Sequence, residues 1–496
     1  MTVERDPPYL QNLVRSLLAL PNETEWLEFK GENYSPQLIG EYVSALANGA
    51  ALRGRSHGYL LWGITNSPRT IAGTEFTPAS KGKGNEPLEA WLHRLTSPAL
   101  STRFHEVELE SKRLILLEIE CATTQPIAFS GVEYIRIGEV KKPLKDAPEL
   151  ERALWRSFDR TPFEQLIAVE RVTFGDVLKL LELAPYFDLQ GQRQPTEPAQ
   201  LRDALLADRL IRLSLGGGWD ITALGAMLFA KRLADFPTLE RKAVRVIQYS
   251  GPDRHSSHRE QLGVKGYACG FVGLIEYINA LLPANEVVGS ALRTIVPMYP
   301  ELAVRELVAN ALIHQDFSIR GTGPMVEIFE DRLEITNPGS PLVDTQRFLD
   351  SPSQSRNERL AFLMRRFGIC EERGSGVDKV VAEIEAFQLP APLFEAPPNS
   401  TRAVLFAHKE LRDMVKPDRI RACYQHACLC YVTHVPMTNA STRARFGIED
   451  HNAALASRVL NEALEAEVIR IEDPGAGTRN RSYLPFWAAG GGEEVA

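Results

Sequence analysis

Residues 301 to 339 constrain the fold more tightly than any other stretch of this chain. ELAVRELVANALIHQDF repeats apolar residues three and four apart, a pattern that only a helix turns into one continuous face. Gly321 to Pro324 break that helix. MVEIFEDRLEITNPGSP then alternates apolar and polar residues on either side of Glu330-Asp331, as a two-stranded hairpin does. Pro338-Gly339 ends the second strand.

The helix carries polar residues where packing alone needs none. Glu306 and Asn310 are four positions apart, so they share one face about one turn, or ~6 Å, from each other. His314 continues the same row. An acid can orient a water or take its proton, and an amide oxygen can ligate a hard cation such as Mg²⁺. Downstream, Asn337-Pro338-Gly339 and Gly374-Ser375-Gly376 make two sharp turns. The second opens directly into the helical stretch VDKVVAEIEAF. A glycine turn at a helix start offers free N–H groups to a phosphate.

In this order the segments RELVANALIHQDF, EIFEDRLEITNPG, RNERLAFLMRRFG and EERGSGVDKV resemble the GHKL ATPases, the group of gyrase, Hsp90 and histidine kinases. They resemble more closely the divergent GHKL-type module of bacterial Schlafen-domain proteins, the RecG-like regulators. The resemblance implies an ATP- and Mg²⁺-binding α/β sandwich. Glu306 would be the general base, Asn310 the Mg²⁺ ligand, and Gly374 and Gly376 part of the phosphate-binding lid. Asn337, followed by Gly339, holds the position where that family has an adenine-reading Asp. An amide oxygen can still accept from an adenine amino group. The motif G-x-x-x-x-G-K-[ST] is absent, so nothing supports a P-loop helicase motor.

Near the N-terminus, ETEWLEFKGENY gathers Glu23, Glu25, Glu28 and Lys30. On an extended chain Trp26, Glu28 and Lys30 face one way. The acids would either share a divalent cation for phosphodiester cleavage or form a solvated charged edge. With Ala47-Asn48-Gly49 and the strand GYLLWGITN, this stretch resembles the Schlafen AlbA domain. That resemblance implies nucleic-acid binding. In some relatives it implies metal-dependent RNA cleavage by three carboxylates, with Glu23 and Glu28 matching two and Lys30 beside them. Thr65 and Asn66 stand where the family tends to have aspartates. Arg53, Arg55, Lys81, Lys83, Lys141, Lys142 and Lys145 would contact phosphates.

Residues 415 to 487 read as three helices and a hairpin around Pro474 to Gly477. This order resembles the winged helices of bacterial regulators. Thr442, Arg443, Arg445, Asn452 and Arg458 would face DNA, with Arg479 and Arg481 on the wing. A protein–protein winged helix is the competing reading. Cys423, Cys428 and Cys430, with His426 and His434, lack paired C-x₂-C spacing and read as core rather than a zinc site.

At 496 residues the chain exceeds one core, and a net charge of −8 excludes an all-over basic coat but not a local basic patch. Six cysteines and the absence of a long apolar run or leader pattern point to a cytoplasmic protein without membrane spans. The expected class is α+β multidomain. An N-terminal helix (1–20) precedes an AlbA-like domain (21–150), a helical connector with a winged-helix outline (151–215) and a GHKL-like module (216–412). A winged helix (415–487) and a tail (488–496) follow. The expected function is ATP-responsive binding of DNA or RNA by a homo-oligomer, in gene regulation or phage defence. A metal-dependent endoribonuclease acting on structured RNA and a non-enzymatic assembly scaffold are the alternatives.

Overall fold

The computed structural model describes residues 6–488 apart from 33–34, 66–68, 80, 84–85, 139, 161, 216, 256, 289–292, 353, 371–375 and 478–479. Two compact units emerge: Met1–Val177 with Ile211–Thr222, and Leu178–Leu210 with Ala223–Ala496.

The first unit opens with helix Pro7–Leu18, capped by the Asp6 side chain, which accepts from the Tyr9 amide at 3.3 Å. A four-stranded sheet follows in the order Leu27–Lys30, His57–Trp62, Lys112–Glu120, Thr102–Leu109. Its first two strands are parallel and are joined by helix Pro36–Leu52. Strand residues alternate between two cores. Leu60, Trp62, Ile115 and Leu117 join Val43, Trp91 and Phe129, while Tyr59, Leu61, Leu114 and Leu116 join Leu13, Leu17 and Trp26. The last two strands turn at Glu110-Ser111, with φ of 53° and 56°. Positive φ at both central residues matches the right-handed twist of a tight hairpin.

Ala47-Asn48-Gly49 lies inside helix Pro36–Leu52. The buried Asn48 amide donates to Ile127 O at 3.0 Å and Tyr134 O at 2.9 Å, and accepts from the Ile127 N–H at 2.8 Å. It thereby ties the helix to a second sheet, ordered Val140–Pro143, Val132–Ile137, Ala128–Phe129, Thr96–Ser97. A Cβ on Gly49 would lie 1.9 Å from Glu25 O, so only glycine lets the acidic N-terminal segment cross here. Beyond helix Pro148–Arg160, the stretch expected to be mainly helical contains the strand Ile167–Val172, which completes a three-stranded sheet with Trp219–Thr222 and Ile211–Leu213.

The second unit is built on a six-stranded sheet in the order Ser257–Leu262, Arg245–Tyr249, Met325–Ile328, Arg332–Pro338, Ser400–Phe406, Leu393–Glu395. Pairing of Ile328 with Leu333 puts Glu330-Asp331 at the hairpin tip, as expected. Ser257–Leu262 is an edge strand whose residues 258–262 are exposed. An edge strand with one neighbour and two wet faces carries no apolar pattern to read. Helices Glu301–Ile313 and Gly376–Ala386 pack together, the former also against strand Arg332–Pro338. Three further helices, Lys416–Val432, Asn439–Phe446 and Ala453–Glu465, precede the paired strands Ile469–Ile471 and Tyr483–Pro485. Cys423 and Ala427 sit in their core with Val459, Leu460 and Ile469. Among the described residues, no helix is long and apolar enough to cross a membrane.

Candidate nucleotide pocket and acidic corner

Helix Glu301–Ile313 forms one wall of a cavity of about 560 Å³ in the second unit. Glu306, Asn310 and His314 line it together, as their spacing predicts. Glu306 is 1% exposed, and Arg305 Nη1 stands 3.3 Å from its Oε1. Gly376, the first residue of helix Gly376–Ala386, closes on the same spot. A Cβ there would lie 3.1 Å from Glu306 Oε2 and 3.7 Å from Asn310 Nδ2. An acid, an amide and a bare helix start therefore meet at one end of the cavity. Gly374 lies outside the described residues.

The opposite wall is the sheet. Ile335 and Asn337 project from one strand, Thr401 and Ala403 from its neighbour, and Asn337 is the Cα partner of Thr401. The buried Asn337 spends its Nδ2 on Pro338 O at 3.2 Å. That bond leaves the amide oxygen as its acceptor toward a ligand. Thr401 Oγ1 donates to Gly339 O at 2.8 Å. Gly339 has φ of 105°, and a Cβ there would fall 2.8 Å from Asp316 Cβ. The Asp316 N–H in turn donates to Pro338 O at 2.8 Å. Asp316 at the end of RELVANALIHQDF thus pins the NPG turn, and glycine is required at the contact.

Two cations line this cavity that the sequence did not single out. Arg356 donates to Ser340 O at 2.6 Å, and Arg365 Nε donates to Ala361 O at 3.2 Å. Burial, with the Arg356 guanidinium beside it, pushes His314 down to about 4. His314 is therefore neutral near pH 7, and the arginines supply the positive charge. Thr401 was missed as well. Its strand is legible, but its position opposite Asn337 is set by a register that joins segments far apart in the chain.

In the acidic corner the carboxylates pair with cations of the chain itself. Glu23 and Glu28 do meet, 2.9 Å and 2.6 Å from Nη2 of a single arginine, Arg136, whose side chain is wholly buried. Arg136 also donates to Thr24 O at 2.8 Å and to Leu27 O. The other Glu23 oxygen accepts from the Phe29 N–H at 2.8 Å, and the other Glu28 oxygen pairs with Lys30. Lys30 Nζ lies 3.1 Å from Tyr42 OH. Both carboxylates are thus committed to cations and an amide of their own chain, which leaves little donor capacity for a metal. Thr65 bonds to Thr70, and Asn66 lies outside the described residues. Among the described residues no cluster of three or more His, Cys, Asp or Glu is arranged to hold a metal ion.

The basic residues scatter in role. Arg53 pairs with Glu25, and Arg55 lies over the Trp26 ring at 5.0 Å. Lys141 pairs with Glu41 and covers the Tyr42 ring at 4.8 Å. Lys142 and Lys145 are exposed. In the C-terminal helices Arg443 pairs with Asp450, and Arg458 stands 3.4 Å from Glu462. Arg445 does not face solvent: it is 4% exposed and donates to Leu389 O at 2.9 Å, with Glu385 3.3 Å away. Thr442 is buried too, bonded back to Thr438 O at 2.8 Å. Arg481 is half-buried. Arg479, the tail beyond Ala488 and the side chains of Lys81 and Lys83 lie outside those described.

Family models match a segment of each unit. Residues 23–145 match the family model described as "Schlafen, AlbA_2". Residues 321–405 match the one described as "Putative ATP-dependent DNA helicase recG C-terminal", an ATPase-like domain. No curated protein matches the chain. Among solved structures, the DIP2311 protein from Corynebacterium diphtheriae is similar at 19% identity, covering 96% of both chains with a TM-score of 0.41. The N-terminal domain of a "Putative ATP-dependent DNA Helicase RecG-related Protein" from Nitrosomonas europaea is 21% identical, over 28% of this chain and 93% of that one, with a TM-score of 0.19.

Proposed function

We propose that the second unit binds ATP with Mg²⁺ between helix Glu301–Ile313 and its six-stranded sheet, and that this binding regulates how the chain holds DNA or RNA. The observation that carries the reading is the meeting of Glu306, Asn310 and Gly376 at one wall, with Asn337 and Thr401 on the other. A cavity of about 560 Å³ suits a nucleotide. The start of helix Gly376–Ala386, beside Asn310, suits a phosphate because its first backbone N–H groups have no acceptor within the helix. Asn337 would accept from the adenine amino group through the oxygen that its bond to Pro338 leaves free. Asn310 would ligate Mg²⁺ through its amide oxygen, and the ion when bound neutralises charge on the phosphate chain. Glu306 would hold a water, and Arg356 and Arg365 would balance the remaining phosphate charge.

Nucleic-acid contact is supported by the AlbA_2 match, by the exposed Lys142 and Lys145, and by the winged-helix order of the C-terminal elements. Gene regulation and phage defence are both compatible with such a protein. Labelled ATP titrated into wild type, Glu306→Ala and Asn310→Ala tests the reading. Saturable binding weakened by Asn310→Ala supports it, and no saturable binding to wild type sinks it.

A further inference from the structure

A second cavity, of about 110 Å³, lies within the first unit. Trp26, Arg55, His57 and Tyr59 line it from the matched segment, and Arg171 and Arg212 line it from strands beyond that segment. Arg171 is the informative residue. The pairing of Ile167–Val172 with Trp219–Thr222 slips register between Val169 and Val172, the signature of a bulge. Arg171 there has φ of 60°, an uncommon conformation for a long side chain. Its N–H is fixed by Asp220 Oδ1 at 2.9 Å. Strain of this kind persists where surroundings over-determine it, and it often re-aims a side chain next to a site.

The Arg171 side chain is only 6% exposed. Nη2 donates to Glu118 Oε1 and reaches Tyr59 OH at 3.4 Å. Nη1 is buried and has no acceptor among the described residues. A buried guanidinium N–H without a partner is costly, so the site calls for an acceptor. Glu118 cannot serve it alone, because His105 Nε2 at 3.3 Å and His57 Nε2 at 4.0 Å share the same carboxylate. Arg212 Nε is held by Asp220 Oδ2 at 3.1 Å. Arg55, over Trp26, has no carboxylate partner among the described residues. Glu170 also lines the cavity and lies 3.7 Å from His57 Nδ1. Its charge restricts the ligand to one that approaches from the arginine side.

We propose that this cavity binds a phosphoryl oxyanion, which accepts from Arg171 Nη1 and is flanked by Arg55 and Arg212. Free phosphate and a phosphodiester in a nucleic-acid strand offer the same chemistry. The second source rests on the nucleic-acid reading above, and the first does not. At ~30 Å³ for each water, the cavity also has room for ordered water, which is the competing occupant.

The test uses the full chain. Inorganic phosphate is titrated by calorimetry at constant ionic strength, and a labelled single-stranded oligonucleotide is titrated by anisotropy. Both are repeated on Arg171→Gln and on Arg55→Gln, whose exposed side chain can be changed without disturbing the core. Phosphate binding should weaken about tenfold in Arg171→Gln and about threefold in Arg55→Gln, as charge-assisted hydrogen bonds are removed. If Arg171→Gln does not fold, Arg55→Gln carries the test. Parallel weakening of oligonucleotide binding, with competition by phosphate, assigns the strand as the source. Weakening of phosphate binding alone assigns the free anion. Wild type and both variants binding phosphate and oligonucleotide identically, or wild type binding neither, overturns the proposal and leaves water as the occupant. Oligonucleotide binding that persists unchanged in the variants, with phosphate binding unchanged too, refutes the pocket without touching the nucleic-acid reading. Phosphate binding without any oligonucleotide binding does the reverse.

Discussion

Gly376 rests on Glu306 with no side chain between them, since a Cβ would come within 3.1 Å of Oε2. In Gly376→Ala the new methyl meets the end of the Glu306 side chain, which must give by a few tenths of an ångström, so little change in stability is expected. The added methyl also crowds Asn310 and the helix start assigned to a phosphate. ATP affinity is expected to fall about tenfold while the melting temperature does not. Calorimetric titration beside a thermal melt separates the two effects, and a fall in both together would mean the glycine is needed only for packing.

Arg136 holds Glu23 and Glu28 inside the first unit. Removing one partner from a buried charge group destabilises by about 3–5 kcal/mol, so Arg136→Met should shift chemical unfolding sharply. Because both carboxylates are already engaged, wild type incubated with Mg²⁺ or Mn²⁺ is expected to leave structured RNA intact. RNA cleavage that disappears in Glu28→Gln would reverse this reading of the corner.

His426 donates from or accepts at both ring nitrogens, 2.9 Å from Glu385 Oε2 and 3.1 Å from Ser441 Oγ, with Cys430 Sγ 3.6 Å away. Burial opposes its charge, but Cys430 and Glu385 outweigh burial and lift it from 6.5 to about 9. A folded value above the unfolded one means the stabilisation is full below pH 6.5 and is lost as pH rises through about 9. The decrease is about 3 kcal/mol at most. Melting temperatures of wild type and His426→Gln between pH 6 and 10 should converge at the alkaline end; parallel curves would refute the assignment.

Lys142 and Lys145 are exposed and lie near each other in sequence. If they touch phosphates, changing both to Gln should lower the slope of log affinity against log salt by about 1 for each phosphate that is no longer neutralised. An unchanged slope would place nucleic acid elsewhere.

What the sequence disclosed depended on how local each signal was. Helix Glu301–Ile313 and the hairpin around Glu330-Asp331 were legible because their patterns complete themselves within a few residues. The same holds for the three C-terminal helices. Ser257–Leu262 was not legible, since an edge strand wet on both faces has no alternation. Ile167–Val172 was hidden because its register slips and its partners lie tens of residues downstream. Arg136 looked like one more charge in EYIRIG, yet it is bonded to Leu27, 109 residues away. Arg445 and Thr442 were placed on the DNA side by the winged-helix resemblance, but tertiary packing turns both inward. Thr401 joined the pocket only through strand pairing with Asn337.

Helix Gly376–Ala386 has 11 residues, a rod about 16 Å long. Its first residue touches Glu306, and near its last the Glu385 carboxylate grips His426 and Arg445. A rod of three turns does not bend in the middle, so its two ends share one motion. A tilt at the pocket end would therefore also be a tilt at the end that the C-terminal helices hold.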